Sequence, residues 1–145
     1  MKPIILASAS VGRKELLEKA GLQFSVDVSN FEEHLDTTVS PHQLAIQLAE
    51  GKARTVGVRH INSIVIAADS FVVIDNHILG KPKSEDDARE MLRTISGKVH
   101  AFITGFVVFD IENAKVFRQS VETKVFVKKL TEEEIEAYVK TKEPM

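Results

Sequence analysis

One carboxylate stands in the middle of an apolar run, Ile64-Val65-Ile66-Ala67-Ala68-Asp69-Ser70-Phe71-Val72-Val73-Ile74. An ionised carboxylate is costly to bury alone, so Asp69 demands a cation, a hydrogen-bond network or the mouth of a site beside it. Two lysines could answer. Lys81 follows in Leu79-Gly80-Lys81-Pro82, just past the turn-like Asp75-Asn76-His77. Lys52 falls in line with Leu44, Ala45, Leu48 and Ala49 at helical spacing, on the apolar stripe rather than opposite it. The paired acids Glu32 and Glu33 sit in a polar loop ahead of His34. One of them turned toward Asp69 would make a carboxylate pair able to hold a divalent cation. Plainer readings stand beside these. Asp69 would then cap a turn at a strand end, Lys52 would snorkel to water, and the adjacent acids would be solvated.

A second group lies at the N-terminus. Pro3 to Ala7 reads as a short buried-type strand, and Ser8-Ala9-Ser10 turns it into a helix from Val11 to Ala20. Ser10 is the natural N-cap and Gly21 the stop, with Leu16, Leu17 and Ala20 expected on the buried face. Hydroxyls and free backbone N–H groups converge at such a helix start, where the dipole favours an anion. Arg13 in the first turn opposes that dipole, so a negative partner would suit it. Taken alone, the commoner outcome is that Ser8 and Ser10 only cap while Arg13 is solvated.

The elements that must position these groups follow from punctuation and periodicity. Leu22 to Val28 alternates like a strand, and Ser40-Pro41 starts a helix reaching about Val56. Gly51, unusual inside that helix, marks close packing. Short β-branched and aromatic runs favour a strand for Ile64–Ile74, and Asp75-Asn76 turns it back through Ile78-Leu79. Ser84 caps a helix burying Ala88, Met91, Leu92 and Ile95, ended by Gly97. Strands over Val99–Phe109 and roughly Val116–Val127 are joined around Glu112-Asn113, the second with a wet face. Thr131 with Glu134 forms a capping box for a last helix carrying Ile135, Tyr138 and Val139. The order β-α-β-α-β-β-α-β-β-α predicts one α/β domain with a mixed sheet.

Composition narrows the classes. The chain has 145 residues, 43% of them hydrophobic and 28% charged, enough for a single domain with a real core. A net charge of -2 gives no sign of a nucleic-acid backbone binder. The absence of cysteine removes disulfides, thiolate metal sites and cysteine nucleophiles. Histidines 34, 42, 60, 77 and 100 lack metal-type spacing, which speaks against a histidine-built zinc site. No run is long enough to span a membrane, and the expectation is a cytoplasmic protein without membrane or nucleic-acid partners.

These residues together resemble the Maf family of nucleoside triphosphate pyrophosphatases. The likeness runs through Leu6-Ala7-Ser8-Ala9-Ser10 with Arg13 and Glu15-Leu16-Leu17, then Glu33, Lys52-Ala53 and Ala68-Asp69-Ser70. It continues over Gly80-Lys81-Pro82, Met91-Leu92, Ser96-Gly97 with His100, Thr104-Gly105, Thr123 and Lys142-Glu143-Pro144. The resemblance implies a Maf/ITPase-like mixed sheet with flanking helices and a cleft between two lobes, often as a homodimer. It implies divalent-cation-dependent hydrolysis of nucleoside triphosphates to monophosphate and pyrophosphate, with Mg²⁺ or Mn²⁺ suited to hard oxygen ligands. By the same likeness Asp69, Glu33, Lys52 and Lys81 are catalytic, Glu33 and Asp69 hold the metal, and Ser8, Ser10, Gly12, Arg13 and Ser70 bind substrate. Pyrimidine or modified pyrimidine nucleotides are the expected substrates.

Three departures from the family pattern are visible. Val11 and Gly12 replace the family's frequent proline and arginine (or aromatic), removing a contact to the base, and Ser70 replaces the usual threonine. The family also continues past Glu-Pro with a lysine- and glycine-rich segment and further strands, so the chain reads as a single Maf-like domain, truncated at its C-terminus. That keeps a second expectation open, a weakly active or inactive nucleotide-binding or self-associating protein.

Overall fold

The computed structural model describes residues 2–28, 30–31, 38–80 and 82–141. Their elements are β1 (Ile4–Leu6), α1 (Val11–Lys19), β2 (Ser25–Val26), α2 (Pro41–Gly57), β3 (Ile64–Ile74), β4 (His77–Leu79), α3 (Glu85–Ile95), β5 (Val99–Asp110), β6 (Lys115–Phe126) and α4 (Glu132–Lys140). The expected order therefore stands. The strands form a six-stranded mixed sheet in the order β2-β1-β3-β5-β6, with β4 also pairing β3. β1 runs parallel to both β2 and β3, and β4 runs antiparallel to β3.

Contacts divide the chain into two compact units, residues 1–70 with 104–121 and residues 71–103 with 122–145. The first is built on α2. Its N-cap Ser40 forms a full capping box with Gln43, and Pro41 opens the first turn with its missing N–H where none is needed. The apolar stripe read from the sequence is buried: Ala49, Ala53 and Val56 pack on Ile5, Ala7, Val65, Ala67, Val107 and Phe109. Two glycines let this helix approach its neighbours. A Cβ on Gly105 of β5 would sit 2.4 Å from the Ala45 carbonyl carbon and 2.5 Å from the Ile46 nitrogen. A Cβ on Gly51 would sit 2.3 Å from the Phe31 ring, which is the close packing expected there.

Two expectations in this unit need correction. α1 buries none of its residues, and Leu16 is 70% exposed. The residues it turns inward are Arg13 and Leu17, one turn apart, so its inner face is half charged. β2 is two residues long instead of seven, because β1 offers only Ile5 and Leu6 as partners for Ser25 and Val26. Its pairing ends with the Asp27 N–H donating to the Leu6 carbonyl.

The second unit carries the β3–β4 hairpin and the α3–α4 pair. Asp75 and Asn76 both take positive φ, 49° and 64°, the left-handed conformation that a two-residue hairpin turn requires. Ala88 and Leu92 of α3 meet Ile135 and Val139 of α4, flanked by Ile95 and Leu130. Arg89 clamps the pair by donating to both Glu136 oxygens, and Arg93 does the same to Glu132. The Ser84 cap and the Thr131–Glu134 capping box form as expected. No described helix is long and apolar enough to cross a membrane.

Candidate functional site

Asp69 and Ser70 are consecutive residues of β3, so their side chains leave opposite faces of the strand. That alternation divides the candidate residues into two groups. β1 pairs with β3 only from Ile64 to Ile66, and its last contact is the Ala7 N–H to the Ile66 carbonyl. Asp69 and Ser70 therefore lie beyond the end of β1, where its chain has left the sheet as Ser8–Ser10. The carboxyl ends of parallel strands are where open α/β sheets place ligands.

On the α2 side, the Lys52 Nζ donates to Asp69 Oδ1 at 2.8 Å. The two side chains are only 19% and 14% exposed, so this is a largely buried ion pair rather than a snorkelling lysine. It also removes the turn-capping reading of Asp69, whose partner is 17 residues earlier in the chain. The sequence placed Lys52 on the apolar stripe of α2, and that stripe faces Val65 and Ala67, which precede Asp69 on the same side of β3.

On the α1 side, Arg13 reaches over the helix start. Its Nη2 donates to Ser70 Oγ at 2.9 Å and its Nη1 to Ser8 Oγ at 3.3 Å. Ser8 is nearly buried and also accepts from the Ser10 N–H at 3.1 Å, while Ser10 Oγ caps α1 by accepting from the Arg13 N–H at 3.3 Å. Arg13 is thus only partly solvated. Burial pushes its pKa below the ordinary arginine value, and the charge of Asp69 pushes it back up. An arginine remains protonated under such a shift, so a partly desolvated cation sits here among neutral hydroxyl acceptors. Gly12, in the same turn, leaves open space beyond its Cα, where a Cβ would meet only Ser10 Oγ at 3.8 Å.

Ser70 Oγ has a further partner, Thr104 Oγ1 of β5 at 2.7 Å. Thr104 was visible in the sequence only as part of the Thr104-Gly105 resemblance, without a role. Among the candidate residues, the structure brings Ser8, Ser10, Gly12 and Arg13 together at the start of α1, with Ser70 against them, and joins Lys52 to Asp69. Glu33 and Lys81 lie outside the described residues, as do Glu32, His34 and the Lys142-Glu143-Pro144 stretch. Among the described residues no three His, Asp or Glu side chains gather as a metal cage.

The family model for Maf-like proteins matches residues 3–145. The dTTP/UTP pyrophosphatase of Bacillus mycoides (strain KBAB4) is 45% identical over 145 residues, all of this chain and 75% of the relative. The dTTP/UTP pyrophosphatase of Desulforamulus reducens is 43% identical over all of this chain and 76% of its own length. Among solved structures, a nucleoside-triphosphatase / dITP/XTP pyrophosphatase from Mycobacterium abscessus superposes with a TM-score of 0.51 at 18% identity, covering 97% of this chain and 95% of that one. That likeness supports the mixed-sheet fold. With a family model spanning nearly every residue and relatives well above the 30% range, the chain belongs to the family of Maf-like proteins.

Proposed function

We propose that this chain is a nucleoside triphosphate pyrophosphatase, cleaving the α–β phosphoanhydride to give a nucleoside monophosphate and pyrophosphate. The observation that carries this reading is Arg13, a partly buried guanidinium held only by neutral oxygens among the described residues, at a helix start. A desolvated cation with donors around it is a site for an anion. The curated relatives are named for dTTP and UTP, which favours pyrimidine substrates here as well.

In this reading Ser8, Ser10, Gly12 and Arg13 hold phosphate oxygens, with the Ser70 hydroxyl beside them. Asp69 gives Oδ1 to Lys52 and acts through Oδ2, either as the base that takes the proton of the attacking water or as a ligand of the metal. Lys52 holds that carboxylate in place and, with Lys81, offsets charge developing on the phosphates. Glu33 is the acidic partner of Asp69. A single described carboxylate fits Mg²⁺ or Mn²⁺, which bind through one or two carboxylates plus substrate phosphates instead of a protein cage. Such an ion, held by Asp69 and Glu33, supplies charge neutralisation on the phosphate oxygens. The reading places the protein in the cytoplasm as a homodimer, which light scattering checks.

The test is pyrophosphate release from a panel of ribo- and deoxyribonucleoside triphosphates with Mn²⁺, with and without a chelator. Turnover of dTTP and UTP that disappears on chelation and in Asp69→Asn is expected. Nucleotide binding without turnover in the unaltered protein would sink the enzyme reading in favour of a binding protein.

A further inference from the structure

We infer that Thr104 is a positioning residue for Arg13: it fixes the Ser70 oxygen that holds the guanidinium and leaves one O–H donor beside it for the bound anion. The inference rests on the reading of Arg13 as a phosphate ligand.

The argument is a count of protons and lone pairs. An arginine can only donate, so Ser70 Oγ accepts from Arg13 Nη2 at 2.9 Å. Ser70 Oγ and Thr104 Oγ1 are 2.7 Å apart, a full hydrogen bond in which one of the two hydroxyls donates. Two hydroxyls bring two protons, and their mutual bond uses one. If Thr104 donates, both lone pairs of Ser70 are filled, by Thr104 and by Arg13. Ser70 can then offer a ligand nothing but its own proton. If Ser70 donates, the remaining proton is on Thr104, one bond further from Arg13. The first arrangement puts a guanidinium and an O–H donor side by side with no lone pair of Ser70 facing the ligand, which is what an oxyanion selects. Anion binding thus favours Thr104 as the donor.

The Thr104 oxygen is well placed to do this because the chain beside it is closely packed. Its neighbour Gly105 lies against the α2 backbone, where even a Cβ would be 2.4 Å from the Ala45 carbonyl carbon. Adjacent strand residues point to opposite faces, so the close approach of α2 at Gly105 bounds how far Thr104 can move toward that helix. A β-branched side chain adds restricted χ1 freedom.

The test uses the full chain with inorganic tripolyphosphate as probe by calorimetry, alongside nucleotide turnover. Thr104→Val keeps the shape of the side chain and removes the hydroxyl. It should bind tripolyphosphate about tenfold more weakly and raise the nucleotide KM by a similar factor, with a smaller change in kcat. Thr104→Ser should restore both. In an Arg13→Ala or a Ser70→Ala background, Thr104→Val should add less than about twofold, because the chain of bonds is already broken. Thr104→Val binding like the unaltered protein overturns the inference, as does a full extra loss in those backgrounds, or no tripolyphosphate binding at all. If Thr104→Val fails to fold, Thr104→Ala takes its place in the cycle with Ser70→Ala. Turnover absent but tripolyphosphate bound with this pattern sinks the hydrolase reading and keeps the role of Thr104. Turnover present and indifferent to Thr104→Val does the reverse.

Discussion

On one face of β3 Lys52 and Asp69 cancel each other's charge, whereas on the other Arg13 rests on hydroxyls that carry none. The first arrangement is a direct ion pair, and the second is a partly dehydrated cation whose hydrogen bonds go to neutral hydroxyls and which feels the charge of Asp69 only across the strand. The difference separates two kinds of contribution. A paired carboxylate and ammonium can hold a reacting group in place and support the fold. A guanidinium without a carboxylate partner gains most from a ligand and contributes least to the fold alone.

That contrast can be broken by substitution. Asp69→Asn should lower turnover by about a thousandfold and should also destabilise the fold by about 2 kcal/mol, because it removes the carboxylate from a largely buried ion pair. Adding Lys52→Met should recover the stability in urea unfolding but none of the turnover; recovery of neither would show that the pair is not a self-contained unit. On the opposite face, Arg13→Ala should raise KM about a hundredfold with an unchanged urea midpoint, and Arg13→Lys should recover only part of it for want of the fork. A large stability loss in Arg13→Ala would erase the distinction between the faces. Gly105→Ala, which forces a methyl against the α2 backbone, should cost about 2 kcal/mol and reduce kcat by displacing Lys52. Leu16→Gln on α1 should stay within about 0.5 kcal/mol, since that side chain is already in water.

Much of this was legible in the residues. The caps at Ser10, Ser40, Ser84 and Thr131 and the turn at Asp75-Asn76 punctuate the chain, and every element falls between them in the expected order. Lys52 could be placed on the inner stripe of α2 because seventeen helical residues carry a strong periodic signal. α1 misled for the opposite reason. With nine residues, and leucines at adjacent positions, its apolar spacing does not define a face, and the polar contacts of Arg13 decide which side turns inward. The length of β2 was hidden because a strand extends only as far as its partner, and β1 is three residues long. The role of Thr104 needed coordinates, since nothing in one strand announces which hydroxyl on another it will meet.

The brevity of β1 carries a consequence of its own. A continuous sheet is a wall, and groups mounted on its two surfaces serve separate rooms. Because the chain turns away after Ala7, the strand bearing Asp69 and Ser70 loses its β1 partner there, and Arg13 on one surface feels the charge of Asp69 on the other. Lengthening β1 by a single hydrogen-bonded pair would put a partner strand between those surfaces without altering any charged residue.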